Sequence, residues 1–150
     1  MEESVSQIID GLWLSGEGGA QSREFFEKEN IKGVVNCTPS TLNAYAAHGI
    51  EYLRIPVNDS TDKEDLELMD EYIDLAVEWL RVHHKLQGLN VLVHCAQGIQ
   101  RSATVVCCYL QKHWGLKFKE AVEFMIIRRQ AVFYNGDKMT FRSLLENYVK

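Results

Sequence analysis

Residues 91–106, VLVHCAQGIQRSATVV, set the tightest limit on what this chain can become. The lead-in VLVH is apolar on consecutive positions, the pattern of a strand covered on both faces. The stretch SATVVCCYLQKHW after it reads as a helix running back across the sheet that such a strand belongs to. Only the loop from Cys95 to Arg101 joins the two. Strand, loop and helix in that order commit the chain to an α/β fold with a partly parallel central sheet. In such sheets, chemistry gathers beyond the carboxyl ends of the strands, where loops lead into helix N-termini. His94 and Cys95 stand at such a strand end.

The rest of the chain supplies partners for that unit. Short runs rich in β-branched residues predict strands at 12–15 (LWLS), 33–37 (GVVNC) and 52–57 (YLRIPV). Leu66, Met69, Ile73, Ala76 and Leu80 recur at steps of three or four and give one apolar face to a long helix. Thr61 followed by Glu64 fits a capping box and predicts Thr61 as the N-cap of that helix. Ala121, Phe124, Met125 and Arg128 mark a later helix, and FRSLLENYV closes the chain with another. GEGGA at 16–20 lacks the GxGxxG spacing of a nucleotide loop and reads as a turn before a helix. There is no internal repeat or linker, and 150 residues suffice for one core, so a single domain is expected over 1–150. The expected architecture is a central mixed sheet flanked by helices.

Composition excludes several classes of function. A net charge of −5 argues against a general nucleic-acid binder. No apolar run approaches the roughly 20 residues of a membrane span. The opening MEESVSQIIDG lacks the apolar centre of a signal peptide, and MEESVSQII is too short and polar to decide between a monomer and a weak homodimer. Cys37, Cys95, Cys107 and Cys108 form no CxxC pair and read as reduced thiols, with Cys107 and Cys108 in the core. An intracellular protein, cytoplasmic or nuclear, is expected, with viral and organellar locations left open. The five histidines show no ligand spacing with carboxylates, so no metal and no cofactor are expected. The cluster from Arg81 to Lys85 reads as a solvated helix end, and Trp13, Trp79 and Trp114 as core or half-buried anchors.

The loop CAQGIQR is built to hold an anion. Consecutive backbone N–H groups of Ala96, Gln97, Gly98, Ile99, Gln100 and Arg101, folded into a nest at a helix N-terminus, make an anion cradle. Gly98 supplies a position free to take a positive φ. Arg101 can return a planar guanidinium to two oxygens of a tetrahedral oxyanion. A thiol at the mouth of that cradle feels the same positive field and ionises more easily than a free cysteine. Ser102 can give its hydroxyl to the sulfur, and His94 can order the loop through its backbone. A thiolate beside a phosphate site is a nucleophile aimed at phosphorus. Transfer from an alkoxide or phenoxide also needs a proton donor opposite the nucleophile. PVNDSTDKED offers Asp59, Asp62 and Asp65. With Thr61 as N-cap, Asp62 falls in the first helical turn, where the dipole favours the ionised form, and Asp65 lies deeper in the helix. Asp59 remains on the free loop.

HCAQGIQRS matches HCxxGxxR[ST], and the chain thereby resembles the cysteine-dependent protein phosphatases. ATVVCCYL is similar to the helix after that loop in the dual-specificity branch. IIDGLWLSGEGGA, IKGVVNCT, IEYLRIPVNDS and KEAVEFMIIRRQAVFYN resemble further family segments in the right order. The resemblance implies a small, atypical dual-specificity phosphatase and assigns the acid to Asp59. It implies a phosphocysteine on Cys95, hydrolysed by water that Asp59 deprotonates, with Ser102 helping sulfur depart. The absence of the extra recognition loop of tyrosine-only enzymes implies a shallow pocket that takes phosphoserine, phosphothreonine and phosphotyrosine in protein substrates. Ala96, Gln97, Ile99 and Gln100 are uncharged, which sets RNA 5′ ends and phosphoinositides behind phosphoproteins. A phosphoprotein-binding adaptor without turnover and a rhodanese-like sulfur transferase are the other readings. Arg128 and Arg129 stand where the family often has arginines near the pocket rim, and either is a candidate contact for a second phosphate. Asn135 matches the family, whereas Tyr134 replaces a common proline and GDKM lengthens the next turn.

Overall fold

The computed structural model describes residues 5–149. Its sheet has five strands: β1 (Val5–Ile9), β2 (Leu12–Ser15), β3 (Ile31–Asn36), β4 (Glu51–Arg54) and β5 (Asn90–His94). They lie in the order β1-β2-β5-β3-β4. β1 and β2 are antiparallel, and every other neighbouring pair is parallel. β5 is central. Its last residue, His94, pairs with Ser15 of β2 and with Asn36 of β3, so three strands end at one level.

Six α-helices occur among the described residues: α1 (Glu17–Ala20), α2 (Arg23–Lys28), α3 (Lys63–Leu80), α4 (Arg101–His113), α5 (Phe118–Arg128) and α6 (Arg142–Asn147). Alternating side chains of the strands feed two cores. Leu12, Leu14, Val35, Val91 and Val93 join a large core with α3, α4, α5 and α6. Trp13, Val34 and Leu92 face the other way and pack with Ala20 and Phe26 in a smaller core. Residues 91–94 are therefore buried on both faces, as consecutive apolar residues require. No helix among the described residues is long and apolar enough to cross a membrane.

Several boundaries differ from the sequence reading, each for a physical reason. β1 was not expected as a strand. It is an edge strand whose only fully buried residue is Ile8, so it carries no clear apolar alternation. Its upstream residues 1–4, part of the segment considered for dimerisation, lie outside the described residues. The strand expected at 52–57 closes at Arg54, because Pro56 has no N–H for a ladder and Val57 N donates locally to the Ile55 carbonyl. Thr61 does not cap α3. Asp62 is the N-cap, without a side-chain cap bond, and its N–H donates to Ser60 Oγ at 2.9 Å. That local hydroxyl turn displaces the capping box. GEGGA is not simply a turn, since Glu17–Ala20 forms the single-turn α1. The segment Arg81–Leu86 continues α3 as a π-helix, and it is not solvated throughout. His84 is buried there, with its ring nitrogens 2.7 Å from the Tyr109 hydroxyl and 2.8 Å from the Asp10 carbonyl.

Candidate active site

The loop after β5 turns back on itself around Gly98, at φ +71°. A Cβ there would lie 2.6 Å from the Ser15 carbonyl carbon and 2.7 Å from its oxygen, so only glycine lets the loop press against the end of β2. The turn carries the Gly98 N–H to Cys95 Sγ at 3.3 Å. The first residue of α4 beyond Arg101 supplies a second partner, Ser102 Oγ, at 3.1 Å from the same sulfur.

All four cysteines are buried, and three behave as burial dictates. Burial pushes the Cys37 and Cys108 thiols well up, and Cys107 up to about 12. Cys95 goes the other way. Burial alone would raise it, but the hydroxyl and amide of Ser102, the Arg101 charge and the Gly98 amide together hold it below the ordinary thiol value. Cys95 thus combines 2% exposure with a thiol that ionises more readily than an ordinary one, the combination that a nucleophile held in place requires.

Arg101 is buried and tethered by one nitrogen, with Nη1 donating to the Val57 carbonyl at 2.8 Å. Its Nε is buried with no partner among the described residues. A buried donor left unpaired costs free energy that an incoming acceptor would recover. Val57 leads directly to Asn58 and Asp59, so the same bond ties the loop carrying Asp59 to the anion cradle. Cys95, Ala96, Gln97, Ile99, Gln100 and Arg101 line a cavity of about 220 Å³, together with Asp59 from the loop before α3. This is smaller than the roughly 300–1,000 Å³ of an ordinary ligand pocket and suits a phosphoryl group with the first atoms of its ester.

Asp62 and Asp65 take no part in that cavity. Asp65 Oδ1 lies 3.3 Å from Asn58 N and 3.4 Å from Asn58 Nδ2 and steadies the loop, and Asp62 starts α3. His94 lies beneath the loop. Burial holds its pKa down to about 4, so the ring is neutral near pH 7. Its Nδ1 sits 3.5 Å from the Cys95 carbonyl, a long contact with the loop backbone.

Comparison with known proteins shows the family of the chain. A family model described as dual specificity phosphatase, catalytic domain, matches residues 12–148. The chain belongs to the dual-specificity phosphatase family. Drosophila melanogaster protein phosphatase Slingshot is 29% identical over 149 residues, covering 97% of this chain and 13% of Slingshot. Arabidopsis thaliana dual specificity protein phosphatase 1B is 29% identical over 151 aligned positions, covering 99% of this chain and 83% of that protein. The crystal structure of human DUSP28, 24% identical, superposes with a TM-score of 0.81 over 96% of this chain and 91% of its own. The phosphatase domain thus accounts for nearly the whole chain, while the chain spans only 13% of Slingshot.

Two expectations for the phosphatase site need correction. Arg129 is not a rim residue. It is 7% exposed and reaches under the loop, with Nε donating to the Gly98 carbonyl at 3.0 Å and Nη2 to the Gln97 carbonyl at 3.1 Å. Its Nη1 meets Ser6 Oγ at 3.1 Å and the Leu14 carbonyl at 3.4 Å. Arg129 therefore clamps the cradle from below. Arg128 is exposed but folds onto its own helix, with its guanidinium 3.5 Å from the Phe124 ring centroid and Nη1 on the Phe124 carbonyl. It does not line the cavity.

Asn135 is exposed, and it ends a run of three non-glycine residues at positive φ: Phe133 (54°), Tyr134 (50°) and Asn135 (61°). A proline, fixed near −65°, could not adopt the Tyr134 conformation. Tyr134 thus stands in a conformation that excludes the proline which the resemblance led one to expect. This run of backbone meets the loop, where Phe133 N donates to the Ile99 carbonyl at 3.0 Å. The sequence reading missed two participants, the side chain of Gln100 and Thr140. No local motif signals either one, because each acts through partners about 40 or more positions away.

Proposed function

We propose that this phosphatase hydrolyses phosphotyrosine, phosphoserine and phosphothreonine in protein substrates through a phosphocysteine on Cys95. The observation that carries the proposal is one small cavity lined by an easily ionised Cys95, a buried Arg101 and Asp59. The thiolate attacks phosphorus in line. The S–P bond forms as the ester P–O bond breaks, and the leaving oxygen takes the proton of Asp59. Arg101 and the loop amides stabilise the charge on the equatorial oxygens. Water then adds to phosphorus and gives its proton to Asp59. The P–S bond breaks, with the Ser102 hydroxyl, already 3.1 Å from the sulfur, stabilising the departing thiolate.

Ala96 and Gln97 are exposed at the mouth of the cavity, which supports a shallow site able to admit short phosphoserine side chains as well as phosphotyrosine. Apart from Arg101, the loop carries no cationic side chain for the extra phosphates of a phosphoinositide or an RNA 5′ end. The test is turnover of phosphotyrosine and phosphothreonine peptides by the purified chain. Hydrolysis of both, abolished in Cys95→Ser, is expected. Stoichiometric capture of phosphopeptide with no phosphate released would instead make the chain a phosphoprotein adaptor.

A further inference from the structure

Asp59 is gripped by a residue from the far end of the chain. Thr140 Oγ1 donates to Asp59 Oδ1 at 2.6 Å. Thr140 is in turn hung from the phosphate loop. Its N–H donates to Gln100 Oε1 at 3.0 Å, and Gln100 Nε2 donates to the Lys138 carbonyl at 2.7 Å. Gln100 is 3% exposed and immediately precedes Arg101, so both ends of a buried amide are satisfied by one turn. That turn is the stretch that departs from the family pattern. Three successive left-handed residues, Phe133 to Asn135, swing it against the loop, and the Lys138 N–H closes it on the Phe133 carbonyl at 3.0 Å. Backbone held in this way at a functional site is kept only where surrounding contacts enforce it.

We propose that Thr140 is a positioning residue for the general acid, and that Gln100 is the strut that sets the distance between the acid and the phosphate cradle. This rests on the reading of Asp59 as proton donor. A carboxyl group whose Oδ1 accepts from a fixed hydroxyl carries its transferable proton on Oδ2. In the first step that proton passes from Oδ2 to the leaving oxygen as the P–O bond breaks. In the second step Oδ2 takes a proton from the attacking water. Without Thr140 the exposed Asp59 side chain rotates freely, and both transfers lose their preset geometry. The loss in the first step, read as kcat/KM, is selective. It matters for esters of alcohols that leave poorly unless protonated, and little for an activated aryl ester that leaves as a stable anion.

The experiment measures kcat/KM for a phosphothreonine peptide and for p-nitrophenyl phosphate, in parallel with melting temperature. Thr140→Val is expected to lower kcat/KM about tenfold on the peptide and less than about twofold on p-nitrophenyl phosphate. Thr140→Ser, which restores the hydroxyl, should recover the peptide rate, and Gln100→Leu, which also disturbs the loop, should lower the peptide value at least as far as Thr140→Val does. In an Asp59→Asn background, Thr140→Val should add nothing, since Thr140 acts through the lost carboxyl. Equal losses on both substrates, no recovery in Thr140→Ser, or an additive loss in the double variant would overturn the proposal. A slow Asp59→Asn beside an unimpaired Thr140→Val would overturn it while leaving Asp59 as the acid. Full activity of Asp59→Asn on the peptide would remove the acid assignment and the positioning role together.

Discussion

Adjacent arginines at the end of α5 should behave as opposites. Arg129 makes two short charged hydrogen bonds to the carbonyls of Gly98 and Gln97, and a longer contact with the Leu14 carbonyl. A hydrogen bond involving a charged group contributes about 1.5–3 kcal/mol, and a buried acceptor left bare costs more than an exposed one. The Gly98 carbonyl bond is buried, whereas that of Gln97 is partly open to water. Counting the first over its whole range and the second at the low end, Arg129→Ala should destabilise the fold by about 3–4.5 kcal/mol. That is a large part of the roughly 5–15 kcal/mol by which domains are stable. Released carbonyls would let the loop relax, so activity should fall with every substrate alike. Arg128→Ala removes only an exposed contact within its own helix and should change stability by less than about 0.5 kcal/mol. Urea unfolding of both variants, with turnover of a mono- and a bis-phosphorylated peptide, decides the matter. If Arg129→Ala keeps its stability and loses activity only on the bis-phosphorylated peptide, the clamp is wrong and a rim contact is right.

Two more outcomes follow from the same loop. Gly98→Ala places a Cβ 2.6 Å from backbone at Ser15 and at a φ of +71°, so it should cost about 2–4 kcal/mol and abolish turnover, both measurable on purified variant. His94 has a folded pKa near 4 against an ordinary value of 6.5. Between those values the unfolded chain binds a proton that the folded chain does not, so stability falls as pH drops from about 6.5 to 4. The His94 contribution is of order 3 kcal/mol over that window. The difference between wild-type and His94→Asn stability curves should show this slope between pH 4 and 6.5, and parallel curves would exclude it.

What could be read from the sequence was local. HCAQGIQRS fixes its own shape, because strand, glycine and helix start lie within nine consecutive residues, so Cys95, Arg101 and Ser102 fell where their order required. Burial of 91–94 on both faces followed from apolar side chains on consecutive positions. The loop position of Asp59 was legible from its neighbours, although one step differed, since Asp62 caps α3 and Thr61 does not. Residues whose work depends on distant partners could not be read this way. Arg129 looks like any helix-end cation until β2 and the loop are folded beneath it. Thr140 meets Asp59 across 81 positions, by way of a turn whose left-handed backbone has no glycine at its three strained residues. β1 escaped because an edge strand with one buried side chain has almost no pattern to detect.

The central claim is that phosphorus passes through Cys95, and acid-quenched phosphoenzyme tests it most directly. Ser102→Ala removes the hydroxyl 3.1 Å from the sulfur, which should slow breakdown of the intermediate more than its formation. Mixing this variant with excess phosphotyrosine peptide, quenching within the first turnover and mapping the label by mass spectrometry should find one phosphoryl group on Cys95. A first-turnover burst of released peptide with no label on Cys95, or with the label on another residue, would contradict it.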